Sequence, residues 1–217
     1  MKPEIKELYK ISEDKYESMY EMMLEAFSDY PKLQFAFPER KKLLAAIEMV
    51  LRYYGAYDIC HGNAYSLDEE VNEVVALMHS DYEGFADELV EEADCENEAF
   101  LKAAELLNAE EQQLWWDLFE ELDRQEAALN IPKPHLYVDF LAVRKGRQGQ
   151  GRGTELIRKV CRYADSQKLP VMLFTNGEED IRFYIKNGFR IIGVTKSEEF
   201  GFENTYMWYE PEAGNER

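Results

Sequence analysis

Between residues 136 and 175 the chain reads LYVDFLAV, RKGRQGQGRG, an amphipathic stretch, and PVMLFT, an order that leaves few folds open. The nearly continuous apolar run at 136–143 predicts a strand buried on both faces, and PVMLFT, residues 170–175, predicts another. Between them Leu156, Ile157, Val160, Cys161 and Ala164 recur at helical spacing up to about Lys168. Strand, loop, helix, strand is a βαβ unit, so the two strands should lie parallel within a mixed sheet. The glycine loop then falls at the carboxyl end of one strand and the amino end of the following helix.

The rest of the chain supplies elements to surround that unit. A short strand is expected around Ile5, Leu8 and Ile11, followed by a helix capped by Ser12 with Tyr16, Met19, Met22, Met23, Ala26 and Phe27 on its apolar side. DYPKLQFAFPER breaks the pattern at Pro31 and Pro38, and a second helix is expected from about Arg40 to Tyr54. AYDICHGNAYSL and NEVVALMHS, separated by DEE, predict an antiparallel pair. Residues 82–130 are helical in pattern and very acidic, with Leu114, Trp115, Leu118, Phe119 and Leu122 along one face, and are expected to form an inserted helical subdomain that ends at Pro132 and Pro134. A short helix from about Asp180 to Asn187 should close with a left-handed cap at Gly188. RIIGVT and NTYMWYE read as two final antiparallel strands. The 217 residues are therefore expected to form one domain, 1–217, carrying the insertion at 82–130.

Charge narrows the function classes. The net charge of −19 repels nucleic acid and anionic membrane surfaces, so neither is an expected partner. No apolar stretch approaches the roughly 20 residues that span a bilayer, and MKPEIKELYK lacks the apolar centre of a signal peptide, so the expected location is the cytoplasm. Cys60, Cys95 and Cys161 are odd in number and lack CxxC spacing, and His61, His79 and His135 show no ligand spacing, so neither a disulfide framework nor a metal site is expected. The charge is also uneven. Residues 144–162 carry seven basic groups against Glu155 alone, whereas residues 83–126 carry 16 acids against Lys102 and Arg124. An acidic protein with its positive charge gathered around a glycine loop points to a phosphorylated ligand.

A helix amino end offers unpaired N–H groups and partial positive charge, and glycine lets a phosphate approach them closely. A dinucleotide fingerprint beginning at Gly149 or Gly151 would need glycine at 154 or 156, where Thr154 and Leu156 stand. A nucleoside-triphosphate loop beginning at Gly146 would need Lys and Ser or Thr where Arg152 and Gly153 stand. The pyrophosphate of coenzyme A is left.

Gln148, Gly151 and Gly153 spell Q-x-x-G-x-G directly after a strand ending LAV, and RFYIKNGF, residues 182–189, contains FYxxxGF after the next strand. In these two motifs, their order and their spacing, the chain resembles the GNAT superfamily of N-acetyltransferases, strongly over about residues 136–192. The resemblance implies an α/β (α+β) fold: a mixed, mostly antiparallel twisted sheet flanked by helices, here with the acidic helical segment inserted. It also implies acetyl-CoA as co-substrate, its pyrophosphate held by the amides of Gln148, Gly149, Gln150, Gly151, Arg152, Gly153 and Thr154, and its pantetheine arm paired with the backbone of Leu141, Ala142 and Val143. Arg144, Arg147 and Arg152 are candidates for the remaining phosphate charge. The tyrosine of FYxxxGF, Tyr184, becomes the acid that protonates the departing thiolate. Relatives carry asparagine four positions before that tyrosine, where this chain has Asp180, with Asn176 nearby.

The implied activity is transfer of acetyl from acetyl-CoA to a primary amine by direct attack in a ternary complex, small-molecule amines being the first choice of acceptor. The acidic segment would favour a cationic amine. Asp139, His135 and Glu73 are candidates for the base. Cys161, on a buried helix face, is not expected to be a nucleophile. Three other readings stay open: an acyl-CoA sensor without catalysis, a protein N-terminal or lysine acetyltransferase, and a docking role for the acidic helices with Trp115 and Trp116 as anchors.

Overall fold

The computed structural model describes residues 2–29, 31–80 and 97–211. The first part of the acidic segment, residues 82–96, and with it Cys95, lies outside the described residues. Strand β1 is only Tyr9–Lys10. Ser12 heads a 3-10 turn, Glu13–Lys15, and turns its hydroxyl to Asp14 rather than capping a helix. Helix α1, Tyr16–Phe27, buries Met19, Tyr20, Met22 and Met23. The Pro31 region, expected to be irregular, forms the short helix α2, Pro31–Ala36, because proline suits a first helical turn.

Helix α3 runs Arg40–His61, well past Tyr54, so AYDIC is helix and not strand. The cause is packing. A Cβ on Gly55 would lie 2.7 Å from the Tyr20 ring, so this glycine lets α1 and α3 cross closely instead of ending the helix. Buried Arg52 locks the crossing, donating to Glu17 on α1 at 2.6 and 2.9 Å and to Glu48 at 2.7 Å, with its guanidinium 4.1 Å from the Tyr20 ring centroid. Only at Gly62 does the helix stop, where any Cβ would strike the Leu77 carbonyl. Strand β2 is therefore just Asn63–Ser66, and β3 follows at Glu73–His79.

The described part of the acidic segment forms α4, Asn97–Ala104, and α5, Ala109–Ala128. A capping box between Asn108 and Glu111 starts α5. Trp115, Leu118, Phe119 and Leu122 pack into the same apolar cluster as Met19, Met22, Ala46 and Leu51, so α5 is part of the body that α1 and α3 build. The indole N–H of fully buried Trp115 donates to the Ala46 carbonyl at 3.1 Å. Trp115 is thus core and cannot anchor a partner, whereas Trp116 is partly exposed and stacks edge-on against it.

Strand β4, Leu136–Val143, helix α6, Arg152–Gln167, and strand β5, Val171–Thr175, are the expected βαβ unit. Helix α7, Glu178–Lys186, then leads through Gly188, at φ +92°, to strands β6, Arg190–Ser197, and β7, Phe202–Tyr209. The described strands form one sheet in the order β1-β2-β3-β4-β5-β7-β6, antiparallel at every pairing except β4 with β5.

Two irregularities shape this sheet. Ala76 pairs Phe140 while Leu77 pairs Val138, so Asp139 is an extra residue in β4, a β-bulge. The bulge exchanges the strand's faces. Leu136 and Val138 pack with Leu156, Ile157 and Val160 of α6, yet Phe140 and Ala142 join the cluster of α1 and α3. β4 alternates between buried and half-buried residues, correcting the expectation of a strand buried on both faces. Its pairing with β5 covers only Leu136 with Val171 and Tyr137 with Met172, after which the strands part. In β6 a second bulge falls at Ile192, between Ile191 opposite Met207 and Gly193 opposite Tyr206.

Truncating Trp115 to Ala should cost about 4 kcal/mol, the range for deleting a buried aromatic. Urea unfolding followed by circular dichroism should show one transition moved to lower denaturant, with α5 lost together with the rest.

Candidate active site

The parting of β4 from β5 opens a cavity of about 1240 Å³ that passes through the sheet. One end is the glycine loop. Gly149 and Gly151 have φ of +74° and +84°, and a Cβ on either would meet open space, so these glycines are needed for backbone shape. Gly151 immediately precedes α6, and the first helical bond is made by Glu155 N–H to the Gly151 carbonyl at 2.9 Å. The amides of Arg152, Gly153 and Thr154 stand ahead of that bond at the positive helix end. Gly153 serves close packing instead, since a Cβ there would be 3.4 Å from the Val143 side chain and 3.6 Å from the Phe183 ring. Gln148 folds back to donate to the Val143 carbonyl at 3.1 Å. Leu141, Ala142, Val143, Gln148, Gly149, Gly151, Arg152, Gly153 and Thr154 all border the cavity; Gln150 faces a neighbouring shallow depression with Arg158 and Arg162.

The cations gathered around the loop have separate employments. Arg152 donates to Asp68 at 2.7 Å and to fully buried Glu73, which in turn accepts from the Ser66 hydroxyl and the Leu67 amide. The Arg152 hydrogen bond holds the Asp68 carboxyl below its usual range. Its guanidinium is therefore engaged by two carboxylates, and Glu73 is a structural anchor rather than a base facing the cavity. Arg144 donates to Asn72 at 3.2 Å and lies 3.5 Å from Glu25. Lys145 reaches Ser28 at 2.8 Å and Asp29 at 2.5 Å, tying the loop to the end of α1. Arg147 is exposed and borders the cavity.

Tyr184 lies on α7 at the same end of the cavity, 8% exposed, between the rings of Phe183 and Phe189 at 5.0 and 5.4 Å. The FYxxxGF residues thus act as one unit, with Phe189 N–H bonding the Tyr184 carbonyl at 3.1 Å across the Gly188 turn. Asp180 also borders the cavity; its carboxyl accepts from Thr175 at 3.3 Å, and burial raises its pKa. Asn176 is turned the other way, donating to Asn204 at 2.6 Å.

The opposite end of the cavity is acidic and phenolic. Asp123 and Glu126 on α5, Tyr54 on α3, Asp139 at the bulge, Tyr137 on β4 and Tyr206 on β7 line it. Burial, and then the nearby carboxylates, holds Tyr54 and Tyr137 well above the ordinary phenol value, and Tyr206 is pushed up to about 12. Behind Asp139 sits Asp58, fully buried; burial first and the Asp139 carboxyl second raise its pKa well above the carboxylate range. Of the three candidate bases, Asp139 alone lies in this acidic end. His135 is 4% exposed and held at the cavity edge, its Nδ1 2.6 Å from the Pro132 carbonyl and its ring against Trp208. Burial pushes the Cys161 thiol up to about 12, in line with its exclusion as a nucleophile.

Asp58 escapes the sequence reading because AYDIC has the composition of a strand. The α5 acids carry a usable signal: Phe119, Leu122, Asp123 and Glu126 follow one another at helical spacing, so the acidic pair continues an apolar face.

A family profile described as an acetyltransferase (GNAT) domain matches residues 119–191, from the second half of α5 through the bulged strand and the glycine loop to Tyr184 and the start of β6. Over those residues, about a third of the chain, the sequence matches the GNAT acetyltransferase domain. That match supports an acetyl-CoA-dependent acetyltransferase. Among solved structures it is similar to histone acetyltransferase HPA2 and related acetyltransferase from Corynebacterium glutamicum, at 17% identity and a TM-score of 0.59 over 96% of this chain and 97% of that one. A structure assigned to arylalkylamine N-acetyltransferase 7 of the yellow fever mosquito gives 15% identity and a TM-score of 0.61 over 94% and 86%. Naa20 of Chaetomium thermophilum, solved with a bisubstrate analogue, gives 12% and 0.51 over 94% and 86%. At these identities the likeness is one of fold. A search of curated proteins returned no match. Among the described residues no helix is long and apolar enough to cross a membrane.

Replacing Arg152 by Leu strands Glu73 without its counter-ion and should destabilise the fold by about 3 kcal/mol at neutral pH. Asp68, with its folded pKa depressed, contributes stability that is present above its unfolded value of about 3.9 and is lost as pH falls through the folded value. Urea titrations at several pH values should show the deficit shrinking below about pH 4.

Proposed function

We propose that this GNAT domain transfers acetyl from acetyl-CoA to the primary amine of a small cationic molecule, by direct attack in a ternary complex. The observation that carries this reading is the continuous cavity, which joins the glycine loop at one end to a wall of carboxylates and phenols at the other. Two substrates entering from opposite ends would meet at the bulge of β4.

The loop fits the coenzyme chemically. Exposed amides from Gln148 to Thr154 would take the pyrophosphate, and Arg147, at the cavity rim, supplies charge that Arg152 does not. The β4 edge freed by the parting of β5 offers the Leu141–Val143 backbone to the amide groups of the pantetheine arm, as an added strand. Asp123, Glu126 and Asp139 would hold an ammonium group, and the phenols around them give it a desolvated wall. Attack by the neutral amine forms the C–N bond; collapse of the tetrahedral intermediate breaks the C–S bond, and the thiolate takes a proton from Tyr184. A phenol titrates near 10 and a thiol near 8.5, so that proton transfer is uphill by only about 2 kcal/mol. Desolvation of the thiolate narrows the gap further.

Isothermal titration of the intact protein with acetyl-CoA should detect binding, and its absence would end the proposal. Thiol release across a panel of primary amines should fall about 100-fold in Tyr184→Phe, the scale of one acid catalyst, with acetyl-CoA affinity retained. Release with peptides and none with small amines would assign the acceptor to protein instead. For a cationic amine the KM should rise between 50 and 500 mM salt, as screening of the acidic wall requires; a flat response removes the electrostatic part of the reading.

A further inference from the structure

Asp139 and Asp58 come from distant parts of the chain and meet where the cavity crosses the sheet. Asp139 borders the cavity as the extra residue of the β4 bulge. Asp58 lies behind it on α3, with no exposure to solvent. Among the described residues neither Asp58 oxygen accepts a hydrogen bond from an N–H or O–H donor, and the group that acts on it is the Asp139 carboxyl. A fully buried carboxyl group can face a half-buried one stably only with a proton between them, because two carboxylates repel and neither offers a donor. The other groups around them sharpen the point. Tyr54 on α3 and Tyr137 on β4 lie in the field of Asp139, and Asp123 and Glu126 on α5 add negative charge. Tyr206 on β7 and the imidazoles of His79 and His135 line the same cavity.

We infer that Asp58 and Asp139 form a one-proton carboxyl pair in which Asp139 is the base that takes the ammonium proton of the acceptor and Asp58, protonated, is its positioning residue. The assignment rests on the amine acetyltransferase reading above. The Asp58 O–H donates to Asp139, and Asp139 itself borders the cavity. The arriving R–NH3⁺ gives one proton to Asp139 and becomes the nucleophile. Formation of the C–N bond releases a second proton from nitrogen, the thiolate takes one proton through Tyr184, and Asp139 returns its proton to solvent. The sum is R–NH3⁺ and acetyl-CoA going to the amide, free thiol and one H⁺.

The pair has a spectroscopic signature. Infrared difference spectra of parent against Asp58→Asn at pH 7 should contain the C=O stretch of a protonated buried carboxyl, present in the parent and missing in the variant. The absence of that band in the parent overturns the pair. Kinetically, Asp139→Asn should lower amine-dependent thiol release about 100-fold. Asp58→Asn keeps an N–H donor toward Asp139, so it should hold turnover at pH 7 within about threefold, whereas Asp58→Ala, which has no donor, should lose about tenfold, the scale of one hydrogen bond. Equal activities of the Asn and Ala variants, both folded by circular dichroism, would overturn the positioning role. Acetyl-CoA titration of each variant separates the two levels: lost binding in the parent sinks the functional reading, while intact binding with no carboxyl band sinks this inference alone.

Discussion

The site depends on one extra residue in a strand. Asp139 stands opposite no residue of β3 in the β3–β4 register, and its insertion turns the second half of β4 over. Before it, β4 presents Leu136 and Val138 to α6; after it, Leu141 and Val143 take that side while Phe140 and Ala142 turn to α1 and α3. The same strand has only two rungs of pairing with β5. The backbone beyond those rungs is left for a ligand, and the cavity follows the gap. Helix, loop and wall residues refine a space that the sheet irregularity creates.

Around that gap, charge is distributed by burial more than by counting. The cluster of cations at 144–162 and the excess of acids at 83–126 are both real features of the chain, but their members have different roles. Arg152 neutralises Glu73 inside the fold, Lys145 and Arg144 fasten the loop to its neighbours, and Arg147 remains at the cavity rim. Likewise Glu111 caps α5 and pairs with Lys42, whereas Asp123 and Glu126 face the cavity one and two turns further along the helix from Phe119. A net charge identifies which ligands are repelled; only the packing says which charges are available.

The βαβ unit, the glycine loop, the Gly188 cap and the final hairpin were legible in the sequence because each is written locally, in periodicity and in glycines with one conformational purpose. The C-terminal half of α3 was not. Tyr53, Tyr54, Gly55 and Tyr57 carry strand-like composition with a glycine inside it, and the reason for that glycine is a ring on α1. Losing that helix also hid Asp58, whose meeting with Asp139 depends on the helix and the bulge together. Trp115 was read both as part of the apolar face of its helix and as an anchor beside Trp116; its burial against α3 leaves only the first of these.

The second bulge has a bearing on how the molecule behaves in company. β6 is the outermost strand on its side of the sheet and exposes Ile191 and Val194. Apolar residues on an open edge invite another strand to add on. Ile192 interrupts the repeat of that edge, and Arg190 and Lys196 place charge near either end. An incoming strand would find its ladder out of step midway, so the irregular edge guards a crowded solution of these molecules against growing sheet upon sheet.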